Sequence, residues 1–277
     1  MELEEIIKEA LREDIGDGDH TTLATVPADA VRSAQMYAKE TGIICGVEVA
    51  KEVFLTVDPT LRVEVFLSDG AVVSQGTSIM RASGSARSIL TAERTALNFI
   101  QRMSGVATKT HQLAQKIKGC GAQLLDTRKT TPLLRRLEKY AVQCGGGQNH
   151  RTGLYDMILI KDNHIDFAGG IEAALSAVEG YLQEQGKQSP VEIEVRSFDE
   201  LRQVLATGKA NRIMLDNFTP EQIREALKMI NGRFETEASG GITEANIMEY
   251  AVTGVDFISV GALTHHIKSL DISLIAD

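Results

Sequence analysis

Short apolar runs recur through the second half of the chain, and each ends in polar or glycine-rich residues before an amphipathic stretch begins. The runs cover 123–125, 157–160, 191–195, 212–215, 234–238 and 257–260. A buried parallel strand reads as such a run, and its helix follows after a brief loop. The pattern therefore predicts an α/β fold with an open or incomplete barrel of about six strands, fewer than a closed barrel of eight. A doubly wound open sheet is the alternative architecture.

A mixed pattern precedes these repeats. Helical spacing and strand alternation predict, in order, a helix over 3–11, a strand over 31–39, a helix over 47–57 and β structure over 61–86. A long helical pattern then begins at Ala86 and is expected to break at Ser104 and Gly105. We therefore predict a smaller N-terminal α+β domain over residues 1–107 and an α/β-barrel domain over residues 108–277.

Charge restricts the possible partners. The chain has 277 residues, a formal net charge of -9 and no Trp. An acidic chain lacks the overall basic field that steers nucleic acid, so we expect no nucleic-acid partner. Basic residues are nonetheless dense between Arg128 and Lys161, and such a patch suits a small polyanionic ligand.

Cysteine usage and the N-terminus bear on location. Cys45, Cys120 and Cys144 are odd in number and show no CxxC pairing, which favours a reducing compartment over a disulfide framework. The N-terminus lacks the basic and apolar regions of a signal peptide. No apolar run approaches the ~20 residues needed to cross a bilayer. We therefore expect a cytoplasmic protein with no membrane partner.

The first of the six runs ends in a group of hydrogen-bond donors. Thr127, Arg128 and Lys129 follow the run directly. Arg offers a planar fork to a carboxylate or phosphate, and Lys offers a compact charge. The other interpretation is a solvated helix start with Thr131 as N-cap and Pro132 at the first helical position. Both interpretations can hold together.

A glycine run and two histidines mark the next segments. Glycines 145–147 precede His150 and Arg151, and three glycines in succession indicate unusual dihedrals, a close approach or a flexible surface loop. Lys161 follows the second apolar run, and His164 comes shortly after it. A lone His is more often structural, so we expect a structural role for His164 and favour His150 for binding.

Acidic residues lie within one run and directly after the next. Glu192 and Glu194 share one face of their strand by alternation, and Asp216 follows the next run. Carboxylates that face a phosphate-rich ligand usually hold Mg²⁺, which prefers oxygen ligands. The alternative is an ion-pair network with the Arg and Lys residues and no ligand.

The last two runs end in small residues. These are Ser239, Gly240 and Gly241 after one run, and Val260, Gly261 and Ala262 at the end of the other. Such loops expose backbone N–H groups, and a helix N-terminus that follows adds partial positive charge. Paired loops at this position commonly bind phosphate in α/β barrels, although simple turn chemistry is the other interpretation.

Together these segments resemble the quinolinate phosphoribosyltransferase family, the carboxylating nicotinate-nucleotide pyrophosphorylases. The motifs are GDGDHTT (16–22), TAERTALNFIQRMSGVAT (91–108), DTRKTTP (126–132), EKYAV (138–142), GGGQNHRTGLYDMILIKDNH (145–164), MLDN (214–217), EASGGI (237–242) and GVDFISVGALTH (254–265). The resemblance implies an N-terminal α/β domain, an open barrel and a homodimer or larger homo-oligomer. It also implies Mg²⁺-dependent transfer from phosphoribosyl pyrophosphate to quinolinate, giving nicotinate mononucleotide, pyrophosphate and CO₂ in NAD biosynthesis.

The resemblance also implies roles for individual residues. Cations around the quinolinate carboxylates and neighbouring phosphates would be Arg94, Arg128, Lys129, His150, Arg151 and Lys161, with Thr127 beside them. Glu194 and Asp216 would serve the ribose hydroxyls and Mg²⁺. Lys129, Lys161, Glu194 and Asp216 form the implied catalytic set, and Arg94 would act across a subunit interface. The loops that begin at Ser239 and Val260 would hold the 5-phosphate.

Two departures and two alternatives accompany the resemblance. Leu133 stands where the family usually has Gly, and the spacing from Glu194 to Asp216 leaves Glu192 open as the functional acid. One alternative is a related phosphoribosyltransferase that takes another aromatic acid. The other is a non-catalytic barrel that binds an anion or nucleotide.

Overall fold

Helices and strands alternate through most of the chain in the computed structural model, which describes residues 2–277. The helices are α1 (Leu3–Ile15), α2 (His20–Thr25), α3 (Val47–Val57), α4 (Ala86–Lys116), α5 (Arg135–Cys144), α6 (Asp162–Ala168), α7 (Ile171–Glu184), α8 (Phe198–Thr207), α9 (Pro220–Ile230), α10 (Ile247–Ala251) and α11 (Ala262–His265). The strands are β1 (Val31–Ala38), β2 (Gly42–Ile43), β3 (Arg62–Val65), β4 (Val72–Val73), β5 (Ser78–Ser85), β6 (Gln123–Leu125), β7 (Ile158–Ile160), β8 (Val191–Val195), β9 (Arg212–Asp216), β10 (Glu235–Ser239), β11 (Phe257–Ser259) and β12 (Ile272–Ala276).

These elements form two units. The N-terminal unit contains the residues up to His111 together with 130–146 and 263–277, and the barrel unit contains 112–129 and 147–262. The sequence pattern did not indicate that two later segments would join the N-terminal unit. The boundary predicted between residues 107 and 108 stays a prediction.

The N-terminal unit is mixed α and β, as predicted. Its main sheet is antiparallel, in the order β12-β1-β5-β3, so the last strand of the chain pairs with the first. Met36 of β1 lies opposite Met80 of β5, and both side chains are fully buried, as is Phe54 of α3. Burial of such large apolar side chains is the main stabilising contribution to this unit.

The long helix α4 is continuous, so the break predicted at Ser104 and Gly105 is wrong. It runs for 31 residues without interruption. A side chain at Gly105 would place its Cβ 2.4 Å from the carbonyl oxygen of Lys268 and 2.9 Å from Cα of Ser269. The Ser104 hydroxyl accepts the N–H of Cys45 at 2.9 Å. Both residues therefore serve close tertiary packing, which overrides their low helix propensity.

Replacing Gly105 by alanine should destabilise the protein, because the backbone atoms of the 268–269 segment cannot shift to make room for the added methyl group. We expect the free energy of unfolding in urea to fall by about 3 kcal/mol. Gly180, in the interior of α7, is the matched control because its Cβ would meet nothing within 4 Å. Gly180→Ala should instead stabilise by up to about 1 kcal/mol. Equal effects of the two substitutions would contradict this packing argument.

The barrel unit contains the six predicted parallel strands. Their order is β6-β11-β10-β9-β8-β7, and every neighbouring pair is parallel. Strands consecutive from β7 to β11 are neighbours in the sheet, as in a barrel and unlike a doubly wound sheet, where the order reverses. The barrel is open, with β6 and β7 at its two edges. All five residues of β8 are buried, so this strand is covered on both faces although two of its residues are glutamates.

The segment after Lys129 differs from the predicted helix start. Helix α5 begins at Arg135 with Leu134 as N-cap, so Thr131 and Pro132 do not cap it. Thr131 instead donates its N–H and hydroxyl to the buried carboxylate of Glu138, at 3.0 and 2.8 Å. Leu133 has φ +68°, a left-handed conformation that favours glycine.

No helix within residues 2–277 is long and apolar enough to cross a membrane.

Candidate active site

The carboxyl ends of the six barrel strands form one edge of the sheet, here called the mouth. Predicted site residues from all six strands reach it: Thr127, Arg128 and Lys129 after β6, Lys161 after β7, Glu194 near the end of β8, Asp216 at the end of β9, Ser239 at the end of β10, and Val260 after β11. Parallel strands bring residues that are distant in sequence to the same edge. The mouth therefore combines cations, carboxylates and glycine-containing loops.

Lys161, Glu194 and Asp216 form the electrostatic centre of the mouth. The Nζ atom of Lys161 lies 3.2 Å from Oε2 of Glu194, on the neighbouring strand. Burial raises the pKa of Glu194, the Asp216 charge raises it further, and Lys161 opposes both effects. Burial also raises the pKa of Asp216, against the charges of Lys161 and Lys129. The two carboxylates therefore repel one another, and nearby positive charge stabilises their ionised forms.

Two guanidinium groups lie close enough to repel one another. Burial lowers the pKa of Arg151, and the positive charge of Arg128 lowers it further. Arg151 also donates to the carbonyl of Met157 at 3.3 Å, which fixes its side chain. The carboxylates of Glu192 and Asp156 act on Arg151 in the opposite direction, so the repulsion between the two guanidinium groups is partly balanced.

Short contacts hold the loop that carries these cations. The Thr127 hydroxyl accepts the N–H of Lys129 at 3.0 Å, so Thr127 shapes the backbone after β6. The buried carboxylate of Asp126 accepts the N–H of His150 at 2.8 Å. Gln148 forms a parallel bridge with Leu125, which extends the sheet beyond β6. The loop after β6 and the segment around His150 are thereby tied together.

His150 lies inside the barrel between two buried carboxylates. Its Nε2 atom is 3.0 Å from Glu192 and 3.4 Å from Glu237, and both glutamates are fully buried. The N–H of Arg151 lies 2.6 Å from Nδ1 of His150, so Nδ1 accepts a hydrogen bond and the proton on Nε2 faces the carboxylates. Arg212 lies 3.6 Å from Glu237 on the same side of the cluster.

The cluster shares one extra proton between His150 and Glu192. Burial lowers the pKa of His150, but Glu192 and Glu237 outweigh burial and raise it to about 9. Burial and the charge of Glu237 raise the pKa of Glu192 to about 7. A proton added to the cluster is therefore held above the ordinary pKa of either group. With that proton, the two carboxylates balance His150 and Arg212, as a buried cluster requires.

Raising the pH should therefore lower the free energy of unfolding. The contribution of His150 is complete below its ordinary pKa of 6.5 and is lost as the pH rises through about 9. Across that window we expect the free energy of unfolding, measured in urea, to fall by about 1 kcal/mol per pH unit. The variant His150→Gln removes this titration and leaves that of Glu192, so its slope should appear over a different pH range. A flat profile in the wild-type protein, or an equal slope in the variant over the same pH range, would contradict the assignment.

The glycine loops are shaped by close packing, and only some of their N–H groups are available to a ligand. A Cβ on Gly240 would lie 2.3 Å from Oδ1 of Asn217, whose amide donates to Asp216 at 2.6 Å. Gly240 thus permits the contact that orients Asp216. The N–H of Val260 donates to Leu125 at 3.0 Å and cannot also serve a ligand.

The helices after these loops differ from those expected. The loop after β10 is not followed directly by a helix, because α10 begins only at Ile247 and has 5 residues. Helix α11, which begins at Ala262, has only 4 residues. A helix dipole therefore adds little at either loop.

The remaining predicted residues have other surroundings. Arg94 is exposed on α4, and no hydrogen bond or ion pair to it is found among residues 2–277. His164 accepts the N–H of Lys161 at 3.0 Å through Nδ1, which is the structural role expected for it. Glu237 was not selected from sequence, although alternation along β10 places it on the same face as Ser239.

Comparisons with known proteins agree with this geometry. The C-terminal domain model of quinolinate phosphoribosyl transferase matches residues 106–275, and the N-terminal domain model matches residues 19–104. A mitochondrial quinolinate phosphoribosyltransferase (decarboxylating) of Nicotiana tabacum is 46% identical over 291 residues, covering 100% of this chain and 82% of the relative. A probable nicotinate-nucleotide pyrophosphorylase (carboxylating) of Bacillus subtilis is 41% identical, covering 99% and 93%.

A solved structure extends the comparison to the fold. The nicotinate-nucleotide pyrophosphorylase of Francisella tularensis has a TM-score of 0.94 and 44% identity, covering 99% of this chain and 96% of that chain. The two family models together, and each of these relatives alone, therefore cover both parts of the chain. The chain belongs to the quinolinate phosphoribosyltransferase family.

Proposed function

We propose that the chain transfers the phosphoribosyl group of phosphoribosyl pyrophosphate to quinolinate, with release of pyrophosphate and CO₂. The observation that supports this most directly is the mouth, where Lys161 meets Glu194 at 3.2 Å and Asp216 lies on the next strand. Cations for a dicarboxylate and acids for a ribose are thereby available at one edge. The product is nicotinate mononucleotide, a precursor in NAD biosynthesis.

The cations account for the choice of acceptor. Quinolinate is a dianion, so its binding requires positive charge that is held in place before the substrate arrives. Arg128 and Arg151 repel one another, and each offers a planar fork to a carboxylate. A monoacid such as nicotinate leaves one of these forks without a partner, which disfavours its binding.

The glycosyl transfer step depends on positioning and electrostatics. The bond from C1 of the ribose to the pyrophosphate oxygen breaks, and the ring nitrogen of quinolinate bonds to that carbon, which is electron-poor and oxocarbenium-like in the transition state. In this proposal the Glu194 and Asp216 carboxylates bind the ribose hydroxyls. Lys129 and Lys161 supply positive charge for the departing pyrophosphate.

The mouth carboxylates also fit Mg²⁺. Glu194 and Asp216 offer oxygen ligands from adjacent strands, and the charge of Asp216 raises the pKa of Glu194, a repulsion that a cation would relieve. When bound, Mg²⁺ neutralises phosphate charge. The alternative is that these carboxylates form ion pairs without a ligand. The contact between Lys161 and Glu194 supports it in part.

Decarboxylation follows from the bond just formed. The ring nitrogen carries a positive charge once it is bonded to the ribose. The adjacent carbon loses CO₂, and the electron pair of the broken bond is stabilised by that nitrogen until a proton replaces the carboxylate. The step therefore needs no dedicated general base. The chain has only to hold the ring in place.

The proposal includes an assembly and a location. We place Arg94 of one copy in the quinolinate pocket of a second copy, which makes a homodimer the smallest active form. Support comes from its exposure and from its position in the motif TAERTALNF. The cytoplasm remains the proposed location, from the cysteine usage.

The direct test follows CO₂ release from carboxyl-labelled quinolinate by the purified protein. Release should require both phosphoribosyl pyrophosphate and Mg²⁺, and EDTA should abolish it. Release without phosphoribosyl pyrophosphate would contradict the transfer step. Full activity in EDTA would contradict only the metal role.

A further inference from the structure

Two cysteines of the N-terminal unit lie side by side. Cys45 comes shortly before α3, and Cys144 is the last residue of α5. Their sulfur atoms and a carboxylate oxygen of Asp69 all lie within 4.8 Å of one another. Cys45 is fully buried, Cys144 is partly exposed, and neither forms a disulfide. Cys144 is therefore the more accessible of the two residues to a small reagent in solvent.

The hydrogen bonds in this cluster make the two thiols unequal. The Cys45 thiol donates to the sulfur of Cys144, which lowers the pKa of Cys144. The Tyr140 hydroxyl donates to Asp69, which weakens the opposing effect of the Asp69 charge. Burial and the charge of Asp69 oppose this effect. The same hydrogen bond, together with burial, raises the pKa of Cys45. Cys144 is thus the better nucleophile, and Cys45 keeps its proton.

The donors around Asp69 disfavour a zinc site. Its Oδ1 atom accepts the N–H of Val47, and its Oδ2 atom accepts the Tyr140 hydroxyl, both at 2.9 Å. A structural zinc ion needs four ligands, whereas this cluster offers two sulfur atoms and one carboxylate that already accepts two hydrogen bonds. A low-pKa, accessible thiol beside a second thiol is instead the arrangement of oxidation-sensitive cysteine pairs.

We propose that Cys144 and Cys45 form an oxidation site, in which Cys144 reacts with a hydroperoxide and Cys45 then closes an intramolecular disulfide. Neither residue lies at the mouth strands, so this site does not depend on the function proposed above.

The reaction proceeds in two balanced steps. The Cys144 thiolate attacks one peroxide oxygen, the O–O bond breaks, and the sulfur becomes a sulfenic acid as the peroxide is reduced to water or an alcohol. Cys45 then attacks that sulfur, the S–O bond breaks, and the proton of Cys45 leaves with the hydroxide as water. Overall, two thiols and one hydroperoxide give one disulfide, with no other reductant needed.

Side-chain rotation has to supply the movement that closure requires. A disulfide brings its sulfur atoms to about 2 Å, closer than the thiols lie in the reduced protein. Cys144 is the last helical residue, and Gly146, with φ +89°, follows in the left-handed region. Gly145 is packed against the carbonyl oxygen of Ala107, which holds the backbone there, so rotation of the Cys144 and Cys45 side chains must bring together the sulfur atoms, which start within 4.8 Å of one another.

The experiment uses the reduced full-length protein, freed of reductant and treated with hydrogen peroxide at neutral pH. After alkylation and digestion, mass spectrometry should show the Cys45 and Cys144 peptides joined, with a loss of about 2 Da that dithiothreitol reverses. Cys120, which is also partly exposed, is the matched control and should remain alkylated. Cys144 should react with iodoacetamide at least about tenfold faster than Cys120, and Tyr140→Phe should slow it.

Variants separate the two roles. In Cys45→Ala no disulfide can close, so peroxide should convert Cys144 to the sulfinic acid irreversibly. The wild-type measurement stands on its own if that variant folds poorly. Three results would each overturn the proposal: sulfinic acid on Cys144 of the wild-type protein without any cross-link, equal alkylation rates for Cys144 and Cys120, or stoichiometric Zn²⁺ binding that blocks the peroxide reaction.

Discussion

Replacing Lys161 by alanine should lower kcat for nicotinate mononucleotide formation by at least about 100-fold, the scale expected when a charged group is lost at a reacting centre. Its ammonium group lies 3.2 Å from Glu194 and acts electrostatically on Asp216, so it sits between the acids proposed for the ribose and Mg²⁺. Its loss also removes the charge that holds down the pKa of both acids. The pH profile of the variant should therefore shift its acid limb upward.

Arg136→Ala is the control for the loss of a positive charge elsewhere. Arg136 pairs with Glu2 at 2.9 Å on the surface of the N-terminal unit, where ion pairs contribute little. We expect activity within about twofold of wild type for this variant. Near-normal activity of Lys161→Ala, with native circular dichroism and an unchanged unfolding midpoint, would show that the site is misplaced.

Mixing inactive Arg94→Ala and Lys161→Ala subunits should restore activity. Arg94 is exposed on α4, and its fork could hold a carboxylate in a second copy of the chain. If it acts across a two-fold interface, each mixed dimer contains one site with both residues and one with neither. The mixture should then show up to about half of the wild-type activity per mixed dimer. The measurement is turnover after subunit exchange, with exchange verified by mass-tagged subunits.

A second mixture supplies the control for this experiment. Lys129 and Lys161 both belong to the barrel unit, so every site in a mixed Lys129→Ala and Lys161→Ala dimer lacks one of them. That mixture should stay inactive. Recovery in the control, absence of recovery with Arg94→Ala despite confirmed exchange, or a fully active monomer would each rule out a role for Arg94 across the interface.

The barrel strands could be predicted almost to the residue. The apolar runs at 212–215 and 257–260 each differ from β9 and β11 by one residue. This agreement has a physical cause, because a parallel strand covered on both faces must be a short apolar run with polar ends. The helix 47–57 was equally clear, since its buried residues recur at helical spacing.

The errors share a different cause. Local signals predict a helix break at Gly105 and a helix cap at Thr131. Both residues are determined instead by contacts with other parts of the N-terminal unit. Gly105 lies against Lys268, and Thr131 is bonded to Glu138. Contacts of this kind cannot be derived from local propensity, because the packing that decides them depends on which elements meet in the fold.

The residues at the mouth could be selected from the sequence, whereas the buried cluster inside the barrel could not. Lys161, Glu194 and Asp216 could be selected because each stands at the end of an apolar run. The cluster around His150 and Glu237 could not, since it requires knowing that β8 and β10 flank β9 and that the segment at 148–150 enters beside β6. Alternation along β10 was the one available signal for Glu237.

The central claim is that the mouth is built for a pyridine dicarboxylate and phosphoribosyl pyrophosphate. The most direct measurement compares kcat/KM for quinolinate and nicotinate with the purified protein, phosphoribosyl pyrophosphate and Mg²⁺. The cations Arg128, Lys129 and Lys161, which follow β6 and β7, predict a preference for quinolinate of at least about 1000-fold, because a monoacid leaves part of that positive charge without its partner. Equal turnover of the two acids would contradict the account.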